Sequence, residues 1–245
     1  MPENATMLPE LRLAASVGAR YVAGIDEVGR GALAGPVTVG VAVLDLLDPQ
    51  LQICRDTGVA GGLDGVRDSK LLTPAARLRW APVVHERAAA VSIQHREASR
   101  IDAVGINAAL REAGLAGLQK VESLLGTGVD AVIIDGSHDW LTAGRSPRVH
   151  PMVRADVKAV CVASASVIAK VDRDVLMERL ADRHPAYGWE SNRGYGSAAH
   201  RQALRESGVT RHHRQTWNLG PVAAAAASAS ARSEPASPPQ GALFG

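Results

Sequence analysis

Residues 21–31 read Tyr21-Val22-Ala23-Gly24-Ile25-Asp26-Glu27-Val28-Gly29-Arg30-Gly31, an apolar run that leads into two adjacent acids and a glycine-flanked arginine. The apolar part predicts a short buried strand over residues 21–25, and the glycines predict a turn that a ligand can approach closely. Asp26 and Glu27 are therefore expected at a strand end. Neighbouring side chains of a regular strand point to opposite faces, so both acids can serve one site only if the chain leaves the pleat there. Paired carboxylates suit a hard divalent cation, whereas Arg30 suits a phosphate or a sugar. The alternative is a strand that ends in a solvated turn.

Length and composition are those of a globular protein with one substantial core. The chain has 245 residues, 46% of them hydrophobic, a net charge of +2 and a pI near 8.7. This mild basicity permits nucleic-acid binding without indicating it. Cys54 and Cys161 form no close-spaced metal or redox motif, and no apolar run is long enough to span a bilayer or to form a signal core. We predict a cytoplasmic monomer without a membrane partner.

Strands and helices are predicted to alternate along the rest of the chain. The periodicity predicts further strands over residues 37–44, 90–96, 129–136 and 150–156, and helices over residues 8–15, 74–88, 99–125, 158–183 and 197–207. Glycines make the continuity of the 99–125 helix uncertain, and residues 45–67 read as a surface loop. The pattern predicts an α/β layer fold with one active edge. Residues 1–20 form an extension, residues 21–222 the folded domain, and residues 223–245 a disordered tail rich in Ala, Ser and Pro.

Two further acids follow predicted strands. Asp135 ends the apolar run Ile133-Ile134, and Asp156 comes after the next strand. Together with Asp26 and Glu27 they are expected to form a catalytic site for Mg²⁺ or Mn²⁺, because clustered carboxylates repel one another unless cations neutralise them. A pair of such ions can activate water and hold a phosphate in line for displacement. Taken singly, Asp135 and Asp156 also fit ordinary turn residues.

The ordered motifs resemble a known family. Asp26-Glu27-Val28-Gly29-Arg30-Gly31, continued by Leu33-Ala34-Gly35-Pro36-Val37, closely resembles the signature of bacterial ribonuclease HII, and the four acids match the acids of that family. Asp68-Ser69-Lys70 matches its phosphate-binding lysine motif, although Leu71 stands where the family often has a second lysine. The run from Ser164 to Asp174 resembles a helix of the family on which Ser166 and Lys170 face phosphates. Lys170 and Asp174 also have the spacing of a structural ion pair.

A second group of motifs lies near the C-terminus. Gly194-Tyr195-Gly196-Ser197 resembles the family segment whose tyrosine packs on a sugar, and Tyr195 is the best candidate for a stacking platform. The alternative is an ordinary turn aromatic. A basic stretch follows, which we interpret as a surface that binds the nucleic-acid backbone; its members are His200, Arg201, Arg205, Arg211, His212, His213 and Arg214.

The resemblance covers residues 21–222 and implies a ribonuclease H-like mixed sheet flanked by helices, with a C-terminal helical subdomain. It implies that Gly29, Arg30 and Gly31 sense the ribose 2′-hydroxyl. The implied substrates are RNA/DNA hybrids and duplex DNA that contains ribonucleotides. Hydrolysis is implied on the 5′ side of the ribonucleotide, leaving a 3′-hydroxyl and a 5′-phosphate. Rival interpretations are a non-catalytic nucleic-acid-binding protein and another nuclease of this broad fold, such as a junction resolvase.

The last six residues support a separate hypothesis. Phe244 is the only phenylalanine, and Gln240, Leu243 and Phe244 resemble the short peptide that docks replication and repair proteins into the bacterial sliding clamp. An apolar anchor on a flexible tether suits such docking. The alternative is coincidence, because only three positions are specified.

Overall fold

The computed structural model describes residues 4–146 and 148–222. Within these residues, strands and helices alternate as predicted. The five strands are β1 (Tyr21–Val28), β2 (Val37–Asp45), β3 (Ala90–Arg96), β4 (Ala131–Asp135) and β5 (Val149–Met152). The seven α-helices are α1 (Leu8–Val17), α2 (Pro74–Arg87), α3 (Ala98–Val104), α4 (Ile106–Leu125), α5 (Val160–Arg183), α6 (Trp189–Asn192) and α7 (Ala198–Ser207).

The strands form one mixed sheet in the order β3-β2-β1-β4-β5. β1 lies at its centre, antiparallel to β2 and parallel to β4. Both faces of β1 are covered, which explains why its first residues read as a continuous apolar run. Helices α1, α2 and α5 cover one face of the sheet, and α3 and α4 cover the other. The predicted α/β fold with a mixed sheet flanked by helices is therefore confirmed.

Helix α5 lies directly on the centre of the sheet. A Cβ atom added at Gly24 of β1 would be 2.2 Å from the main-chain carbon of Cys161, and one added at Gly40 of β2 would be 2.4 Å from the carbonyl oxygen of Ala165. Any larger residue at these two positions would push the helix away. The glycines thus set the height of α5 above the strand that carries Asp26.

Three differences from the predicted boundaries bear on the site. β1 continues to Val28, so Asp26 and Glu27 lie inside the strand and not at its end. The predicted 99–125 helix is two helices, since the chain turns at Gly105, where φ is +80°. β5 ends at Met152, and Asp156 lies in a short 3-10 helix (Ala155–Val157) that leads into α5.

The segment before β1 is packed against the start of α5. The carbonyl oxygen of Thr6 accepts a hydrogen bond of 3.3 Å from the N–H of Val160. Oε1 of Glu10, a fully buried residue of α1, accepts one of 2.8 Å from the N–H of Cys161. Because the first N–H groups of a helix have no partner within it, these contacts supply the cap that α5 lacks in its own sequence.

A third core lies at the C-terminal end, where α6, α7 and the end of α5 surround Tyr187 and Trp189. Leu33 and Ala34, from the chain between β1 and β2, are part of this core. The C-terminal helices are thereby joined to the segment that follows Gly29-Arg30-Gly31. None of the helices in the described residues is long and apolar enough to cross a membrane.

Candidate active site

The ladder between β1 and β4 ends where the acids begin. Its last pair is Ile25 opposite Ile134, so Asp26 and Asp135 are the next residues on two adjacent parallel strands. On its other side β1 stays paired with β2 as far as Val28, and this regular ladder directs Asp26 and Glu27 to opposite faces. Both acids still border the same open edge, because β4 no longer covers it. The chain does not need to leave the pleat for the two acids to face one site.

Asp26 is buried, with 4% of its surface exposed. The pKa of its carboxyl is raised to about 8, mainly by burial and also by Glu27 and Asp156, while a Ser166 hydrogen bond and Lys70 oppose the rise. Its Oδ2 atom has no hydrogen-bond partner among the described residues. A buried acceptor without a partner is costly, so this atom is suited to a group that brings positive charge.

The other acids belong to the same electrostatic group. Burial raises the pKa of Glu27; Arg30 lowers it and Asp135 raises it. Burial also raises the pKa of Asp156, and Asp68 and Asp135 add to the rise. Oδ1 of Asp135 accepts a hydrogen bond of 2.8 Å from the N–H of Ala155, which ties the end of β4 to the turn that carries Asp156.

Lys70 brings a positive charge to these acids. Its Nζ atom lies 3.6 Å from Oδ2 of Asp156 and 3.8 Å from Oδ1 of Asp68. Burial alone would lower the pKa of Lys70, but Asp68, Asp26 and Asp156 together raise it. The short 3-10 helix that presents Lys70 (Ser69–Leu71) is capped by Asp68, whose Oδ1 accepts from the N–H of Lys70 at 3.0 Å.

The carboxylates form an electrostatic cluster but not a closed coordination shell. Within residues 4–146 and 148–222, no three His, Cys, Asp or Glu side chains come together closely enough to hold a metal ion by themselves. The chemistry of the group nevertheless fits a hard divalent cation, because the available donors are carboxylate oxygens and Oδ2 of Asp26 lacks a partner.

The Gly29-Arg30-Gly31 turn lies beside the acids. The guanidinium of Arg30 donates a hydrogen bond of 3.0 Å to Oδ1 of Asn107 at the start of α4 and lies 3.5 Å from Oε1 of Glu27. Half of its side-chain surface remains exposed. Arg30 is thus held between the acid group and α4 while it stays accessible to a ligand.

Ser166 and Lys170 lie one turn apart on α5 and have different surroundings. Ser166 is buried, 2.9 Å from the hydroxyl of Ser69, and forms a hydrogen bond with Asp26. The Ser166 hydroxyl donates to that of Ser69 and accepts from the N–H of Ser69 at 3.4 Å. Nζ of Lys170 is 2.6 Å from Oδ1 of Asp174, so the structure forms the ion pair that the spacing allows.

Tyr195 is held at the junction of the C-terminal helices and the turn. The residue is 39% exposed, and the guanidinium carbon of Arg173 lies 5.6 Å from the centre of its ring. Gly194, with φ at +83°, approaches Ala34 so closely that a Cβ would be 2.3 Å from the Ala34 carbonyl oxygen. Tyr195 is therefore fixed relative to the chain that follows Arg30.

The prediction that the basic stretch forms a surface for the nucleic-acid backbone is wrong for four of its seven members. Arg201, Arg205 and Arg211 reach the surface, but the remaining four are buried, namely His200, His212, His213 and Arg214. The histidines pack around Trp189. Arg214 lies behind the turn and donates to the carbonyl oxygens of Gly29 and Arg30. The sequence of this stretch alone could not show that other segments of the chain cover these four side chains.

Sequence reasoning did not single out three residues that the structure places around the site. Asp68 was noted only as part of the lysine motif, although it is buried and faces Lys70. Asn107 holds Arg30, and Arg173 lies against Tyr195. The position of Asp68 before a short helical turn was the one available signal, because Asp is a favoured cap. Gln240, Leu243 and Phe244 lie outside the described residues.

Comparisons with known proteins identify the family and the fold. The family model described as Ribonuclease HII matches residues 23–220. A ribonuclease HII from Streptomyces avermitilis is 41% identical over 215 residues, which cover 88% of this chain and 84% of that protein. The crystal structure of ribonuclease H2 from Pyrococcus horikoshii OT3 superposes with a TM-score of 0.65 at 26% identity, covering 81% of this chain and 94% of that one. The RNase HII of Archaeoglobus fulgidus, in its complex with PCNA, has the same fold at 24% identity, with a TM-score of 0.60 and coverage of 80% and 94%.

Proposed function

This chain belongs to the ribonuclease HII family and is therefore a ribonuclease H-type hydrolase, and on that premise we propose that it incises duplex DNA immediately 5′ of an embedded ribonucleotide. We propose further that it cuts the RNA strand of RNA/DNA hybrids, leaving 3′-hydroxyl and 5′-phosphate ends. Its cellular tasks would be the removal of ribonucleotides from DNA and of RNA primers.

One observation carries this proposal. Asp26, Glu27, Asp135 and Asp156 form one electrostatic group at an open sheet edge, directly beside a turn that offers an accessible arginine. A protein that only bound nucleic acid would gain nothing from clustered acids, because they repel the phosphate backbone. The arrangement instead suits hydrolysis of a phosphodiester whose sugar is read by the turn.

Asp26, Glu27, Asp135 and Asp156 are the residues that we expect to hold two Mg²⁺ or Mn²⁺ ions. Bound ions would activate the attacking water and stabilise the charge on the leaving oxygen. The high pKa of Asp26 in the free protein, about 8, follows from burial and repulsion, and a bound cation would oppose both. In the free protein, Lys70 supplies part of this positive charge.

The chain itself binds and orients the substrate in this proposal. Lys70, with 71% of its side chain exposed, can contact a phosphate without leaving the acids. Gly29, Arg30 and Gly31 contact the ribose, and Tyr195 stacks on the neighbouring sugar. Ser166 lies against Asp26, and Lys170 lies one turn further along α5. Both residues are proposed to face the phosphates of the bound nucleic acid.

Cleavage of an end-labelled DNA duplex with one ribonucleotide tests the proposal. The native chain and Asp135→Asn are compared in Mg²⁺, in Mn²⁺ and in chelator. We expect incision 5′ of the ribonucleotide that requires the metal and is lost in the variant. The conservative change keeps the size of the side chain but removes its charge. Glu86→Gln, a change at an exposed residue of α2, is the matched control and should cleave normally.

Three outcomes would contradict parts of the proposal. Cleavage in the presence of chelator would refute the proposed metal site. Equal cleavage of the all-deoxy duplex would be consistent with the metal site but would refute the proposed roles of Arg30 and Tyr195 in recognising the sugar. Binding without any cleavage would favour the non-catalytic alternative for this chain.

We also propose that Gln240, Leu243 and Phe244 dock the protein to a sliding clamp. The support is the sequence of this segment alone, with its single phenylalanine close to the C-terminus. Deletion of residues 240–245 should abolish clamp binding and leave cleavage of the free duplex unchanged. Unchanged affinity for the clamp, measured by surface plasmon resonance, would refute this docking.

A further inference from the structure

Two buried arginines flank the turn formed by residues 29–36, hereafter the sensing turn. Arg214 and Arg173 have no exposed surface. Their hydrogen bonds go to main-chain carbonyl oxygens, and neither guanidinium forms an ion pair with a carboxylate among the described residues. Asp102 and Asp174 act on them only through their charge. Burying a charge without a paired carboxylate is expensive. This cost indicates that the two guanidinium groups serve a purpose other than stability.

Arg214 holds the start of the sensing turn and contacts its end. Its NH1 donates to the carbonyl oxygen of Arg30 at 2.7 Å, and its NH2 donates to those of Gly29 at 2.6 Å and Gly35 at 3.3 Å. Arg173 fixes the second half. It donates to the carbonyl oxygens of Pro36 at 3.0 Å, Ala34 at 3.3 Å and Arg193 at 2.9 Å.

These bonds determine which way the amide groups of the turn point. In a trans peptide the C=O and the following N–H point in opposite directions, and the described residues contain no cis peptide. Because the carbonyls of Gly29 and Arg30 point inward to Arg214, the N–H groups of Arg30 and Gly31 point outward. Within the described residues, neither N–H donates to a protein group. The space where a Cβ of Gly31 would lie is empty to a radius of 4 Å.

We propose that Arg214 and Arg173 are positioning residues that hold the sensing turn so that the N–H groups of Arg30 and Gly31 donate to oxygens of the ribonucleotide's sugar and phosphate. The two arginines touch no substrate. They act through the backbone, and their buried charges strengthen the outward N–H groups as donors. Arg173 also lies against Tyr195, so the same anchor sets the distance between the sensing turn and the stacking ring.

This inference rests on the proposed function, since it assigns the residues that make the recognition of ribose possible. It also gives Arg214 a role different from the direct contact with the nucleic-acid backbone that the sequence predicted. The residue contributes to substrate binding without a direct contact, because its guanidinium lies behind the turn and not on its surface.

Binding of two duplexes that differ only in one 2′-hydroxyl tests the inference in the absence of cleavage. The Kd values of the ribonucleotide and all-deoxy duplexes are measured in chelator for the native chain, Arg214→Lys and Arg173→Lys. Lysine keeps the charge but cannot donate to three carbonyl oxygens in a fixed fork. We expect the preference for the ribonucleotide duplex to fall about tenfold, as for the loss of one or two hydrogen bonds, while all-deoxy binding changes little. Arg148→Lys is the matched control, because Arg148 also donates to a carbonyl oxygen, that of Val129, but far along the sheet.

The amide resonances of the native chain give an independent measurement that needs no variant. The ¹H–¹⁵N signals of Arg30 and Gly31 should shift on addition of the ribonucleotide duplex and not on addition of the all-deoxy duplex. Unshifted signals would overturn the inference even if the arginine variants failed to fold. A native preference that survives in both folded variants would overturn it as well. A native chain without any preference for the ribonucleotide would instead refute the proposed function.

Discussion

Gly29 and Gly31 flank the same arginine but have opposite surroundings. Gly29 has φ at +82°, and a Cβ there would lie 2.2 Å from Nε of Arg173, whereas Gly31 faces open space. We predict that Gly29→Ala destabilises the fold by about 1–3 kcal/mol or more, from backbone strain and the clash. Gly31→Ala should keep the native melting temperature but bind the ribonucleotide duplex more weakly, because its methyl group lies where the substrate approaches.

Thermal unfolding and duplex binding of the two variants check this residue-scale prediction. Each variant is the control for the other, since both add one methyl group to the same turn. Equal melting temperatures would show that Gly29 tolerates a side chain. Native affinity in Gly31→Ala would show that the substrate does not approach this part of the backbone.

At the scale of elements, α1 and α5 depend on one another through Glu10. Burial raises the pKa of this carboxyl to about 7, and the hydrogen bond from the N–H of Cys161 only partly offsets the rise. The unfolded chain releases the proton near pH 4.5 and the folded chain near pH 7. Stability from Glu10 is therefore fully present below pH 4.5 and is lost as the pH rises to 7, by roughly 3 kcal/mol.

Glu10→Gln should remove this loss, because the amide cannot ionise and its oxygen can still accept from Cys161. Urea unfolding at pH 5 and pH 8 measures the effect. The free energy of unfolding should change less between these two pH values in the variant than in the native chain. Glu86→Gln, at a largely exposed residue, serves as the control. If the free energy of unfolding changed equally between pH 5 and pH 8 in all three proteins, Glu10 would not be buried in its acidic form.

At the scale of the whole molecule, the C-terminal part of the chain is held together by a group of neutral histidines. Nδ1 of His213 accepts from the N–H of Thr210 at 2.9 Å, so its Nε2–H donates to His200. His200 in turn donates from Nδ1 to the carbonyl oxygen of Tyr195 at 2.9 Å. The pKa of His213 is lowered to about 3, mainly by burial and also by His200, His212 and His184, while the hydrogen bond from Thr210 opposes the fall.

A histidine with a lowered pKa makes the fold sensitive to acid. The unfolded chain takes up this proton near pH 6.5 and the folded chain only near pH 3, so stability is complete above pH 6.5 and falls between these values. We predict that the native melting temperature decreases more between pH 7 and pH 5 than that of His213→Gln. Thermal unfolding is monitored by near-ultraviolet circular dichroism. An equal decrease in melting temperature in both proteins would contradict the prediction.

Much of the site follows from local patterns. Apolar runs that end in acids predicted the strands that carry Asp26 and Asp135, and the observed β4 ends at Asp135. Glycine and proline marked the break at Gly105 and the start of α2 at Pro74. These features depend on neighbours in the sequence, because periodicity and turn chemistry act over a few residues. Such patterns, together with ordered motifs, were sufficient to indicate the family and the α/β fold.

Other features depend on contacts between segments far apart in the chain. The face that Asp26 shares with Lys70 arises because β4 stops pairing with β1 while β2 continues. Arg214 resembles any basic surface residue in sequence, yet it lies behind the sensing turn, because the carbonyl oxygens of Gly29 and Arg30 provide its partners. A polar side chain is buried when distant groups satisfy its hydrogen bonds. The local sequence does not indicate which distant groups these are. The placement of Lys70, Glu10, His213 and Arg214 therefore became known only from the tertiary structure.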